Sequence, residues 1–261
     1  NISMFDEPYM DTSNIPSSSI SKEISKKYKV AISGDGGDEI FFGYKGFQDE
    51  FKVFKGNSRV IEFLYKIYPA WFGSGNKILK HNKDYERSYL SYFKDDKFMN
   101  FLGIDYKTNL SKKFFNNTKT RLKNVLILEN RLYLSEMMNL KVDRTSMMHS
   151  VEVRSPFIDH RLIEYILSCS ENSLEYKQPK KIIKDYLKDD FDTNFLNRKK
   201  MGFAFDVQNI IYNNEERILE LIDGSNLNLY IPNLNIKKLF LKKSMVNCQR
   251  IYKLLILVQY V

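Results

Sequence analysis

Cysteine is almost absent. Cys169 and Cys248 are the two in the chain, each in an apolar, helix-like context. No disulfide framework or thiolate metal spacing can be read from them, and the pair fits a reducing, cytoplasmic setting. Histidine is as scarce, with three scattered copies, which argues against a zinc centre. Long apolar runs are missing too. The longest, "LLILV" at 254–258, is far too short to cross a bilayer, which takes about 20 apolar residues. No membrane partner is expected. There is no internal repeat, no low-complexity tract and no nucleic-acid-binding motif.

What remains is a chain of 261 residues with 43% hydrophobic and 28% charged content. That is enough for one large domain or two small ones, and the composition is not that of a disordered chain. The net charge is +9, and the window 177–200 holds +4 of it: seven Lys and one Arg against four Asp. Such an excess fits either a polyanion partner or a solvated lysine-rich face; without a motif beside it, the solvated face is preferred and no nucleic acid is expected. The chain opens on Asn1 with "NISMFDEPYMDTSNIP", which carries no element signal and reads as the middle of a protein. The expectation is that sequence upstream is missing.

Helix dominates the pattern. After Pro16, "SSSISKEISKKY" supplies hydroxyl caps and a helical repeat at Ile20, Ile24 and Tyr28. "KVAIS" then reads as a short strand buried on both faces. From Arg121, apolar residues at Leu122, Val125, Leu126, Leu132 and Tyr133 predict one long helix. Asp159 is the expected N-cap of a helix that buries Leu162, Ile163, Ile166 and Leu167. Pro179 opens another helix, with Ile182, Ile183, Tyr186 and Leu187 facing inward. Met147 and Met148 are expected in the core, and His149 and His160 as packing or capping residues. The fold class is α/β and mostly helical.

Between the "KVAIS" strand and a helix expected to restart near Asp38 lies "SGDGGDE", Ser33 to Glu39, with three glycines and three acids. Open α/β sheets bind ligands at the carboxyl ends of their strands. Glycines let backbone N–H groups approach a phosphate, and a helix start adds its dipole. Asp35, Asp38 and Glu39 are hard oxygen ligands, and Mg²⁺ is usually held by one or two carboxylates plus phosphate oxygens. The turn therefore suits a Mg–nucleotide site; the alternative is an acidic surface turn with glycine caps. It is not a P-loop, since the lysine and hydroxyl pair of that motif are absent.

"SGDGGDE" after a strand resembles a signature of the glutamine-hydrolysing asparagine synthetase family. "DEPYMDTSNIP" upstream, "KVDRTSMMHSVEVRSPFIDHRL" and "RKKMGF" downstream resemble further family segments, in the family's order. The resemblance is strongest over 6–205, with 206–261 as a helical tail. It implies that 1–261 is a single synthetase-domain fragment, the C-terminal portion of an adenine-nucleotide α-hydrolase-like (PP-loop ATP pyrophosphatase) fold with few short parallel strands.

The implied reaction is ATP-dependent. The aspartate side chain is adenylated to β-aspartyl-AMP with release of pyrophosphate, and ammonia then attacks. By position, Ser33, Gly34 and Gly36 would contact ATP, Asp35 would help form the acyl-adenylate, Asp38 would ligate Mg²⁺, and Lys200 would stabilise charge on the phosphates. Glu39, just past the motif, would matter little. Arg154 would pair with Glu152 or a helix end, or act at the site. Aspartate and glutamine-derived ammonia are the implied partners, in the cytoplasm, and the resemblance leaves room for a homodimer.

Several features depart from the family pattern. Phe42 replaces a glycine, Met137 and Met138 replace an acidic pair, and the proline usual after "GF" is absent. The family's first nucleotide loop and its glutaminase domain are absent from the chain, so the isolated 261 residues are expected to make no asparagine. Two other readings stand beside this one: a relative that amidates another carboxylate, such as a surface sugar or a peptide, and a truncated non-catalytic paralogue.

Overall fold

Two segments far apart in sequence meet as parallel strands. β1 (Val30–Ile32) pairs with β2 (Glu152–Arg154), in the register Val30↔Glu152, Ala31↔Val153 and Ile32↔Arg154. The computed structural model describes residues 4–44, 58–79, 93–104, 121–174, 178–198, 202–203, 205–232 and 234–261. Among these the sheet has two strands and the rest of the regular structure is helical, so the protein is α/β with helix dominant. No helix among the described residues is long and apolar enough to cross a membrane.

The chain divides into two compact units, one of Ser13–Lys52 and Leu110–Ala204, the other of Asn1–Thr12, Val53–Asn109 and Phe205–Val261. The first holds the sheet. Its opening helix, Asn14–Ser25, buries Asn14, Ser18 and Ser21 and leaves Ile20 half exposed. The expected apolar face is thus not the buried one. The serine hydroxyls of Ser17, Ser19 and Ser21 bond back to carbonyls four residues earlier. Those small, self-satisfied side chains let the helix pack closely on Leu140–Met147. Ser18 also reaches Nε2 of His149 at 2.9 Å, and the buried Lys141 donates to Oγ of Ser13 at 2.8 Å.

The long helix expected from Arg121 is present. It runs through Arg121–Leu128, a π-helical stretch Glu129–Asn139 and Leu140–Met147. Leu122, Val125, Leu126 and Leu128 are almost wholly buried. Asp159 caps the helix His160–Ser168 by accepting from the Arg161 amide at 2.9 Å, as its sequence predicts.

Three further burial expectations fail. Ile32 is 79% exposed and Val30 43%, because the described residues cover their side of β1 only lightly, while Ala31 between them is partly buried. Met147 and Met148 are half exposed at the end of their helix rather than in the core. In the helix Lys181–Leu187, Ile182 and Tyr186 point outward, since seven residues make two turns and present only one side inward.

The second unit is built round the helix Met245–Val258, whose Cys248, Ile251 and Leu254 are fully buried with Leu239, Ile222 and Ile211. Arg250 is buried as well. Its guanidinium takes both carboxylate oxygens of Asp95 at 2.7 and 2.8 Å, donates to the Ala70 carbonyl and lies over the Phe98 ring. Bidentate pairing of this kind is what makes a buried arginine tolerable.

Candidate functional site

β1 ends at Ile32 and the chain turns at once. The Ser33 amide still donates to the Arg154 carbonyl at 2.9 Å, so the turn leaves the carboxyl end of the sheet from a fixed point. Ser33 Oγ donates to Asp35 Oδ2 at 2.8 Å and lies 2.6 Å from Ser155 Oγ. The first bond folds the turn on itself. The second ties it to the residue that follows β2.

The three glycines do different work. Gly36 has φ +85°, and a Cβ there would sit 2.8 Å from Cγ2 of Ile158; glycine meets both demands at no steric cost. A Cβ on Gly37 would come within 3.2 Å of the Phe157 ring, and the Gly37 amide donates to the Gly34 carbonyl at 3.2 Å. Gly34 is different, because a Cβ there would meet nothing within 4 Å. The protein's own packing does not demand glycine at 34. The amides of Gly34 and Gly36 donate to no acceptor among the described residues.

The helix expected near Asp38 is a single turn, Gly37–Ile40. A macrodipole needs several aligned peptides, so the dipole expected from sequence is not available here. What the turn offers an anion is the pair of glycine amides that donate to nothing else among the described residues.

Around Asp38 the chain is tightly determined. Lys180 Nζ lies 2.8 Å from Asp38 Oδ1, with the two side chains 38% and 19% exposed. The Gly43 amide donates to the Asp38 carbonyl at 2.8 Å, and the Lys180 amide to the Phe41 carbonyl at 2.9 Å. Phe42 is buried with φ +56°, the left-handed conformation that suits the glycine this position carries in the resembling family. Glu39, expected to matter little, is buried and accepts from the Tyr44 hydroxyl. Burial, with the Glu39 charge beside it, pushes the Tyr44 phenol well above its ordinary range.

Ser33, Gly34, Asp35, Gly36 and Asp38 thus stand on one turn at the carboxyl end of β1. Lys200 lies outside the described residues. Arg154 takes the structural option, donating to Glu152 at 2.8 Å with both side chains exposed. Sequence reasoning missed Ser155, Lys180 and Gly43. Ser155 could have been found, because it heads the "SPFIDHRL" segment. Lys180 sits in the basic window read as a solvated face, and nothing local distinguishes it from Lys181.

The donor set decides what cation the turn could take. No group of three or more His, Cys, Asp or Glu among the described residues could hold a metal by itself. Asp38 offers one partly buried carboxylate on the same turn as the two glycine amides. That fits a divalent cation shared with phosphate oxygens, as Mg²⁺ is commonly held, and does not fit an all-protein cage.

Comparison with known proteins identifies the family. The family model for asparagine synthase matches residues 1–247. Asparagine synthetase [glutamine-hydrolyzing] 1 of Bacillus subtilis (strain 168) is 23% identical over 245 residues, covering 87% of this chain and 39% of that protein. Asparagine synthetase [glutamine-hydrolyzing] 3 of the same organism is 28% identical over 186 residues, 70% of this chain and 27% of that protein. A probable asparagine synthetase [glutamine-hydrolyzing] of Acanthamoeba polyphaga mimivirus is 35% identical over 91 residues, 34% of this chain and 16% of that protein. The chain therefore spans well under half the length of these relatives. No solved structure matches. With the family model covering nearly its whole length, the chain belongs to the asparagine synthase family.

Proposed function

We propose that this chain carries part of an ATP-dependent amide-forming site, of the PP-loop ATP pyrophosphatase type, that makes asparagine from aspartate. The observation that supports this most is the Ser33–Asp38 turn: two unpaired glycine amides and two carboxylates at the carboxyl end of a parallel strand. The relatives' names supply the product and the glutamine origin of the nitrogen.

The reading gives each residue a task. The Gly34 and Gly36 amides hold phosphate oxygens, and the space beside Gly34 admits them. Asp35, held by Ser33 Oγ, orients the reacting aspartate and α-phosphate. Asp38 shares Mg²⁺ with the nucleotide. Lys200 neutralises the departing pyrophosphate, a task suited to a compact point charge. Mg²⁺, when bound, draws off charge that develops on the leaving phosphates. The aspartate carboxylate oxygen attacks the α-phosphorus, pyrophosphate leaves, and ammonia displaces AMP from the β-aspartyl-AMP.

The test is pyrophosphate release with aspartate and ammonia, on the protein as its gene encodes it. Asp35→Asn, Asp38→Asn and Lys200→Ala should each lower the rate about a hundredfold, since one preorganised charge partner contributes roughly 3 kcal/mol to a transition state. Asp38→Asn should also raise the Mg²⁺ requirement, and Asp35→Asn should keep ATP binding. Normal turnover by both Asp38→Asn and Lys200→Ala would return the turn to an acidic surface loop.

A further inference from the structure

Lys180 is held by more than its own helix. Its φ of +57° is a left-handed conformation that a lysine rarely adopts, and a residue is kept there only where its surroundings over-determine it. Two contacts do so. Its amide donates to the Phe41 carbonyl at 2.9 Å. Its ammonium stands 2.8 Å from Asp38 Oδ1.

Gly43 keeps the path open. A Cβ on Gly43 would lie 1.9 Å from Asp38 Oδ1 and 2.7 Å from Lys180 Cε. Any other residue would push the carboxylate and the lysine stem apart. A left-handed lysine from a distant segment, a side-chain-free position and a partly buried carboxylate five residues before it thus converge on one ion pair.

We propose that Lys180 is an exchange cation for Asp38: it neutralises the carboxylate when no divalent cation is bound, and yields it to Mg²⁺ while its ammonium turns to the nucleotide's phosphate oxygens. This rests on the reading of Asp38 as a Mg²⁺ ligand. The chemistry follows from charge. A carboxylate with Gly43 and Lys180 packed against it is poorly hydrated, and a cation beside it offsets that cost. The divalent ion carries twice the charge and wins the site when phosphates supply its remaining ligands. The ammonium is then displaced within reach of those phosphates, on a flexible four-carbon stem.

The exchange has a signature that a purely structural lysine lacks. Removing the ammonium removes a competitor for Asp38, so Mg²⁺ should bind more easily. It also removes a cation from the phosphates, so turnover should fall. A lysine that merely shaped Asp38 would, when lost, weaken Mg²⁺ binding and turnover together.

The experiment uses the gene-encoded protein and Lys180→Met, which keeps the apolar stem, with fold checked by circular dichroism. Mg²⁺-dependent binding of an α,β-methylene ATP analogue is followed by calorimetry, and pyrophosphate release is measured separately. The half-saturating Mg²⁺ concentration should fall about threefold, the size expected for a partly exposed ion pair, while kcat falls at least about tenfold. Lys180→Arg should recover most of kcat. Should Lys180→Met not fold, Lys180→Gln is read the same way. An unchanged or raised half-saturating Mg²⁺ concentration overturns the exchange alone. A wild-type protein with no Mg²⁺-dependent nucleotide binding overturns the exchange together with the functional reading beneath it.

Discussion

Tyr44 donates its hydroxyl proton to Glu39 Oε1 across 2.5 Å, and the glutamate is 2% exposed. The Tyr44 ring in turn meets Tyr133 edge-on at 5.9 Å. The acid that ends the glycine turn therefore anchors it to the long helix. Position past the motif leaves Glu39 without a task in turnover, and its burial gives it one in the fold. Glu39→Ala should lower stability by about 1–3 kcal/mol, because it removes a buried acceptor and the hydrogen bond that Tyr44 makes to it. Urea denaturation measures this; an unchanged midpoint would mean the pair contributes nothing. The pH dependence has a sign as well. The phenol is raised above its ordinary value of 10, so its contribution is complete below about pH 10 and is lost as pH rises beyond it.

Gly34 and Gly36 should separate ligand demand from fold demand. Gly36→Ala forces a left-handed alanine against Ile158 and should cost about 2–4 kcal/mol. Gly34→Ala meets open space and should leave stability within about 0.5 kcal/mol of wild type while weakening ATP binding. Thermal melts with and without ATP distinguish the two. A Gly34→Ala protein that melts early without ligand would show that 34 is a packing position.

Phe42 gives an inverted mutational order. It is buried at φ +56°, so truncation loses packing whichever small residue replaces it. Glycine is at home in that conformation and alanine is not. Phe42→Gly should therefore be more stable than Phe42→Ala by about 1 kcal/mol, opposite to the usual order in a helix. Equal stabilities by urea denaturation would remove the left-handed constraint from position 42.

Cys248 is fully buried, and burial pushes its thiol up to about 11. Cys169 is partly exposed. An aromatic disulfide reagent at pH 8 should label Cys169 in the native protein and reach Cys248 only on unfolding, because the thiolate is the reactive form. Since the folded thiol titrates above its ordinary value, the Cys248 contribution to stability is present below about pH 9 and lost as pH rises toward about 11. Two equivalents labelled at once in the folded protein would contradict the burial.

The amino-acid sequence alone determined what is local. Helix from Arg121 follows from apolar spacing, the Asp159 cap from a side chain reaching an amide two residues on, and the glycine turn from residues that tolerate φ values others avoid. The candidate residues from Ser33 to Asp38 were legible for the same reason, since turn and site lie within six consecutive positions.

Only the tertiary structure decided what depends on distant pairing. Residue order does not say that β1 and β2, more than a hundred residues apart, share a register, and that register is what carries Ser155 to Ser33. Nor does it say which lysine of a basic window meets Asp38; a left-handed backbone at Lys180 and the missing side chain of Gly43 choose it. Burial follows what packs against a position as much as its hydrophobicity. Ser18 and Ser21 pack inside because small side chains allow two helices to approach, and Ile32 stays outside because its side of β1 is little covered among the described residues.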